Sequence, residues 1–346
     1  MKLLPGMRRI PVGERARFNV AFFLQHYFPK SARIKGMRDR ACDRIVENVR
    51  AKGAGKVVQV QRLKDISAED FRTRYLANGI PVILEGAARD WPCTAQWSFE
   101  RFKRQFGKET IKLVDRKGLT DDDFVRESEY SEEIEFGEFL DQVLAGGRKY
   151  MRFSPLLERF PELRADFDGK LFNRMMGGVF GVIHQMFIGG VGSVTPLHNA
   201  MTPFFFVNIC GIKRWMFVPN HYLAVLNPAA DGFGYNHSGA NPEQWDPQAF
   251  PGLDCIDRME AVMQPGDVLF NPSWMWHSVR NEEPTIGLRY GLYHPRSMMS
   301  ESYTLFFVRL LAARNPSVLT GLYYSLIKTD LPQRDKELLI TKMFRG

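Results

Sequence analysis

The chain is poor in the features that mark an oxidising compartment or a membrane. Its 346 residues include four cysteines, Cys42, Cys93, Cys210 and Cys255, and no CxxC pair. Scattered thiols of this kind exclude a disulfide framework and a thiolate metal centre, and they suit a reducing cytoplasm, which is the location expected. No apolar run reaches the roughly 18 residues that a membrane-spanning helix needs. The first residues lack the apolar core and small-residue cleavage site of a secretory signal. Acidic residues are scarce at the start: residues 1–56 hold 14 Lys and Arg against 4 Asp and Glu, and the remainder holds 33 against 35. The net charge of +8 therefore belongs to a basic leader. Such a leader can attract nucleic acid, anionic lipid or an acidic partner, but the simpler expectation is a solvated helical lead-in. It is rich in arginine like an organelle transit peptide, yet poor in serine. No aromatic-basic interleaving marks an RNA platform.

What is present reads as a soluble globular composition, with 45% hydrophobic and 13% aromatic residues. Helices are expected around Phe18–Phe28 and Met37–Ala51, followed by an Ala51–Gly55 linker. From Val57 the pattern changes. VVQVQRL alternates as a strand, and Ser67 with Asp70 three residues on opens a helix that Gly79 closes. PVILEG reads as a buried strand, then come a Trp91-Pro92 turn, a helix over Phe99–Phe106 and the strand TIKLVD. Glu133–Leu144 reads as a helix and Lys149–Phe153 as a short strand. From Val179 strands dominate, interrupted by a polar segment at 227–257 of the length that usually forms a lid or partner loop. They resume at Met259–Val262, Asp267–Asn271, Trp276–Arg280 and Ile286–Tyr293. Helices with broad apolar faces close the chain from Ser302.

Two stretches stand apart. Gly192–Pro219 contains TPLH and then GIKRW; Pro265–Asn281 contains PGDVLF, then His277, then SVRN. His198 and His277 are too far apart in sequence for a local chelate and meet only if two strands bring them together. These segments, with the lead-in PVILEG–DWP–WSFERFKRQFG, resemble the cupin-like and JmjC family of Fe(II)- and 2-oxoglutarate-dependent oxygenases over about residues 57–315. The resemblance implies an α+β protein with a mainly β core: a double-stranded β-helix, or jelly roll, with an N-terminal α/β lead-in and C-terminal helices. The expected organisation is a leader at 1–56, the barrel domain at 57–300 and a helical region at 301–346 that, as in the family, can mediate homodimerisation.

The resemblance also implies roles. His198 and His277 match the metal-binding histidines. Lys213, Thr195 and Tyr150 match the residues that bind the distal carboxylate of 2-oxoglutarate, and an ammonium with two hydroxyls makes a sensible anion pocket. Arg289 either assists that carboxylate or forms an ordinary salt bridge. The family's third ligand, a carboxylate two residues after the first histidine, is missing. The sequence reads His198-Asn199-Ala200, and strand alternation turns Asn199 to the opposite face. An alanine here resembles the non-haem iron halogenases, in which chloride or bromide fills the vacant position; a carboxylate borrowed from elsewhere and a barrel without iron are the other readings. Three functions follow: an iron- and 2-oxoglutarate-dependent enzyme that hydroxylates or halogenates an unactivated C–H bond, a degenerate barrel that serves as a binding or interaction module, and a nucleic-acid-associated protein. The substrate, whether small molecule, carrier-tethered group or protein, is not named by the sequence. His184, His221, His237 and His294 are expected to be surface or packing residues. Trp274 and Trp276 either line the substrate mouth or pack. Phe204 makes the pocket apolar, and Asn208 is a candidate for an inward polar group.

Overall fold

The computed structural model describes residues 4, 6–113, 132–154, 156–178, 180–230, 236–241, 243–244 and 246–311. In chain order its strands are β1 (Val57–Gln59), β2 (Arg62–Leu63), β3 (Val82–Leu84), β4 (Thr110–Leu113), β5 (Glu132–Glu135), β6 (Tyr150–Ser154) and β7 (Phe180–Gly189). They continue as β8 (Val194–Asn199), β9 (Phe204–Cys210), β10 (Lys213–Val218), β11 (Arg258–Met263), β12 (Val268–Asn271), β13 (Trp276–Asn281) and β14 (Thr285–Tyr293). One sheet has the order β1-β11-β10-β13-β8, a second has β2-β3-β12-β9-β14-β7-β6, and β4 pairs β5 alone. Neighbours in the two large sheets are antiparallel except where the short β1 and β2 join them.

The inner faces of the two large sheets share one core. Phe187, Phe204, Phe206 and Leu269 come from the longer sheet, and Trp215, Phe217, Met259 and Val279 from the shorter. This is the interior of a jelly roll, reached by the alternation of in and out along each strand. A second core covers the outer face of the longer sheet with the lead-in residues Phe71, Trp97, Phe102, Phe136 and Phe139. A third covers the outer side of the shorter sheet, where Leu197, Val218 and Trp276 meet Phe18, Phe22, Ala41 and Ile45.

That third core corrects the reading of the leader as a solvated lead-in. Helices at Val12–Tyr27 and Ala32–Arg50 bury apolar faces against the barrel. Several of their cations, and those beside them, have internal partners. The Arg8 guanidinium donates to the Cys255 carbonyl, Lys52 Nζ to the Arg9 carbonyl, and Arg38 to the Pro228 carbonyl. Met7 and Leu4 reach the barrel's interior cluster.

Local readings are adjusted in three places. VVQVQRL is split between the two sheets, because each half pairs a different strand. The stretch 67–79 is helical throughout but passes from α-helix to a π-turn and a 3-10 turn before Gly79, whose φ of 63° ends it. Glu132–Glu135 is a strand paired with β4, and the helix expected from Glu133 starts only at Phe136. In the C-terminal region the helix Tyr303–Leu311 is described; the expected dimerising helices beyond it lie outside the described residues. Among the described residues no helix is long and apolar enough to cross a membrane. All four cysteines are free thiols, and burial raises those of Cys42 and Cys93 to about 11.

Candidate metal and anion site

β8 and β13 run side by side, and their register sets His198 opposite His277. Thr195 pairs with Val279, so three steps along β8 match two along β13. Pro196 and Leu197 therefore face the single residue Ser278, which is a β-bulge. The bulge resolves a parity problem. Residues three apart on a regular strand point to opposite faces, yet Thr195 and His198 both look into the barrel. Proline suits this place because a bulge needs one ladder donor fewer.

The two imidazoles lie with ring centroids 4.2 Å apart. His198 Nδ1 bonds the Pro196 carbonyl at 2.8 Å, and His277 Nδ1 bonds the Met275 carbonyl at 2.9 Å. A carbonyl only accepts, so each Nδ1 carries the proton and each Nε2 keeps a bare lone pair. Burial pulls the His198 pKa down to about 4, with the Arg152 and Arg289 charges adding to the effect. His277, which is almost wholly buried, is also held well below the ordinary imidazole value, by desolvation and by the neighbouring His198. Both rings are neutral at physiological pH. The strand that carries His277 is anchored from behind: Trp274 and Trp276 are fully buried, and their indole N–H groups donate to the Met298 carbonyl and Asn220 Oδ1. Each contributes on the order of 4 kcal/mol of burial. Trp274 holds a left-handed backbone at φ 57°, an unfavourable conformation for a bulky residue that this packing offsets.

A buried ammonium lies at the start of β10, opposite the end of β13. Lys213 Nζ donates to Asn281 Oδ1 at 2.6 Å and to the Tyr150 hydroxyl at 3.3 Å, and Thr195 hydrogen-bonds Tyr150. Asn281 Nδ2 in turn donates to Ser193 Oγ at 2.7 Å. Gly189 makes room for this group: a Cβ there would stand 2.5 Å from Tyr150 and Asn281 side-chain atoms. Lys213 is fully buried, and burial lowers its pKa to about 7. Among the described residues it has no carboxylate partner, and one of its three donors is left over.

A second buried cation occupies the wall formed by β14. Arg289 donates to Gln185 Oε1 at 2.5 Å and Thr202 Oγ1 at 2.8 Å, and its guanidinium lies 4.6 Å over the Phe204 ring. Gly291 leaves the space it needs, since a Cβ there would come within 2.8 Å of Nη1. Arg289 likewise has no carboxylate partner among the described residues. Gln185 is wholly buried and its Nε2 lacks a hydrogen-bond partner. Among the described residues the buried carboxylates lie elsewhere: Glu158 pairs His184 and Arg164, Asp257 pairs Arg8, Asp267 pairs Arg62, and Glu301 abuts Gly79.

The profile of the cupin-like domain family matches residues 68–296, well over half the chain. The chain belongs to the cupin-like family. Among curated proteins, this cupin-like chain is similar to Lysine-specific demethylase 8 of Xenopus tropicalis, 28% identical over 64% of this chain and 50% of that protein. It is also similar to Arginine-specific demethylase JMJ20 of Arabidopsis thaliana, 25% identical over 67% of this chain and 56% of that protein. Jumonji C domain-containing protein 5 of Drosophila melanogaster is 22% identical over 67% and 59%. The chain spans about half the length of the curated relatives it matches. The Fe(II)/2-oxoglutarate oxygenase superfamily suggested by the sequence is thereby supported.

Within this cupin-like barrel the sequence-derived residues fall into two groups, His198 with His277 and Lys213 with Tyr150 and Thr195, while Arg289 stands on another strand. Ala200 packs against the interior cluster, and Asn199 pairs with Trp276 on the opposite face. Among the described residues no third His, Cys, Asp or Glu completes a metal-holding group around the histidine pair. A borrowed carboxylate is therefore not found there. Trp274 and Trp276 pack and do not line a mouth. Asn208 spends its Nδ2 on the Gly211 carbonyl and ties the β9–β10 turn. His184 pairs the buried Glu158 carboxylate, and His221 and His294 accept backbone N–H groups of Ile10 and Ser297. His237 differs from its expected role. The segment after β10 bridges back to β8, the Ser238 N–H donates to the Leu197 carbonyl at 3.0 Å, and the His237 ring stacks 6.2 Å from His198. Burial lowers its pKa to about 3. Asn281, Ser193, Gln185, Thr202 and His237 are the site residues that no local motif announced. The SVRN ending in Asn281 was visible, but its pairing with Lys213 depends on register.

Proposed function

We propose that this cupin-like protein is an oxygenase-family enzyme that binds Fe(II) and 2-oxoglutarate and acts on an unactivated C–H bond in a cytoplasmic substrate. The observation that carries the reading is Lys213: a buried ammonium, ringed by neutral oxygens and lacking an acidic partner among the described residues, is a receptor for a carboxylate. The relatives named as demethylases support the same class. His198 and His277 would hold the metal through their bare Nε2 atoms. The chemistry of these donors fits iron, although two imidazoles supply two of the three protein ligands of a facial triad and none of its charge. When bound, iron with 2-oxoglutarate and oxygen supplies the oxidant for C–H cleavage.

The chain's own residues bind and orient. Lys213, Tyr150 and Thr195 grip the distal carboxylate. The carbonyls of Pro196 and Met275 fix the rotation and tautomer of the two rings, a supporting shell that raises ligand basicity. Phe204, Trp215 and Phe217 close on His277 with ring centroids 5.6–6.3 Å away and keep bulk water off its face. The absence of a side-chain oxygen at Ala200 leaves a coordination position to an anion. Hydroxylation is the default outcome, and halogenation requires that this anion be chloride or bromide.

The test is oxygen-dependent release of succinate from 2-oxoglutarate by the purified protein with Fe(II). Release by the native protein, at least tenfold reduced in His277→Ala and Lys213→Met, is the expected result. Native activity no greater than that of the two variants sinks the enzymatic reading. The same assay with chloride and bromide, beside Ala200→Asp, reads the anion position.

A further inference from the structure

The outer face of the shorter sheet holds a cavity that the proposed function does not use. Trp215, Phe217 and Val279 point into the barrel, so Arg214, Met216, Ser278 and Arg280 point out. The leader helices cover one end of this outer face, at Val218 and Trp276. Beyond them the segment that carries Ser238, Ala240 and Glu243 passes over the strands and leaves a partly enclosed cavity of about 180 Å³. That segment is fastened in place. The Ser238 N–H donates to the Leu197 carbonyl at 3.0 Å, Ser238 Oγ donates to the Leu226 carbonyl at 2.7 Å, and Asn241 Oδ1 accepts the Glu243 N–H at 3.0 Å.

The cavity has two chemically distinct ends. Arg214, Arg280 and Glu243 line one, and Pro196, Leu197, Met216 and Ala240 make the other apolar. Arg214 lies directly opposite Arg280, and Met216 lies opposite Ser278 two residues, about 6.8 Å, farther along the strands. Guanidiniums placed opposite one another repel, and each is balanced here by one glutamate. Arg214 Nε donates to Glu282 Oε1 at 2.9 Å, and Arg280 pairs Glu243. These four charges sum to zero. The pairs are half-exposed and therefore weak, and they leave donors over. Among the described residues each guanidinium spends a single N–H on its glutamate, and the buried Arg280 Nε has no acceptor. A bare anion entering this end would meet Glu243, and a bare cation would meet two guanidiniums. A molecule with both charges side by side meets each with its opposite. An α-amino acid has that form: carboxylate, ammonium and side chain share one carbon. A cavity of about 150 Å³ takes benzene, so this one holds roughly seven or eight heavy atoms, the size of valine.

We infer that this cavity binds a free, small apolar α-amino acid, with its carboxylate on Arg214 and Arg280, its ammonium on Glu243 and its side chain against Pro196, Leu197 and Met216. The site lies across the sheet from His198 and His277. Its ligand is therefore not the compound that reacts there, and its binding needs neither metal nor 2-oxoglutarate.

The experiment is isothermal titration calorimetry of the full chain in excess EDTA with valine, with 3-methylbutanoate, which lacks the ammonium, and with isobutylamine, which lacks the carboxylate. The expected result is saturable 1:1 binding of valine, at least tenfold tighter than either analogue. Arg280→Gln and Glu243→Gln should each weaken valine at least tenfold, and Arg214→Gln serves if one of them does not fold. Valine bound no more tightly than 3-methylbutanoate or isobutylamine overturns the inference, because one charge then suffices. Unchanged affinity for valine in the folded variants overturns the placement on Arg280 and Glu243. Absence of valine binding overturns the inference outright. Binding only after Fe(II) is added moves the ligand to the histidine pair and overturns it as well. Succinate release from 2-oxoglutarate is read separately and is untouched by any of these results.

Discussion

A charged Lys213 costs the unliganded fold and serves the liganded one. Burial lowers its pKa from 10.5 to about 7, so between those values the unfolded chain binds more protons than the folded one. Stability of the free protein therefore rises with pH across that window, a slope measurable by denaturant titration. Replacing Lys213 with Met removes the buried charge but strands Asn281 Oδ1. The net expectation is a gain of about 1 to 3 kcal/mol at pH 7, together with at least a tenfold loss of 2-oxoglutarate affinity. A carboxylate binds the ammonium form. Affinity should then be flat below about pH 7 and fall by up to tenfold per unit above it. Tyr150 does not interfere, because burial raises its pKa to about 12. Calorimetry from pH 6 to 9 checks this; an affinity constant across that range contradicts the role given to Lys213.

The elements that place these residues were partly legible in the sequence. TPLH, GIKRW and PGDVLF are local patterns, so the strands carrying His198, Lys213 and His277 could be read directly. What escaped depends on register. Thr195 shares a face with His198 only because β8 bulges at Pro196, and Asn281 meets Lys213 only because β13 lies opposite β10. His237 arrives on an irregular segment whose course has no periodicity to read. Gly189 offers a test at this scale. Its neighbours on β6, on β13 and in the turn before β8 leave no space for a Cβ, so Gly189→Ala should destabilise the protein by about 1 to 3 kcal/mol and weaken 2-oxoglutarate binding through Tyr150 and Asn281. Unchanged thermal unfolding and unchanged affinity in that variant would show that β6, β7 and β13 do not meet as described.

At the scale of the whole molecule, the basic leader belongs to the fold. Phe18, Phe22, Ile45 and Val49 are buried in the core that also holds Trp274 and Trp276. Removing residues 1–56 should therefore unfold or aggregate the barrel and not yield a stable shorter domain, as circular dichroism and size exclusion would show. The composition alone could not say this, because a helix with many arginines reads the same whether its apolar side is buried or bare. The account as a whole rests on one claim, that a dicarboxylate and a metal meet at His198 and His277 although Ala200 supplies no oxygen. The most direct measurement is anaerobic titration of the protein with Fe(II) and 2-oxoglutarate, with and without chloride, following the metal-to-ligand charge-transfer absorption. The account predicts a band that saturates at one equivalent, is lost in His277→Ala and appears in the native protein without restoring a carboxylate. A band that appears only in Ala200→Asp would contradict it and leave a barrel that binds but does not oxidise.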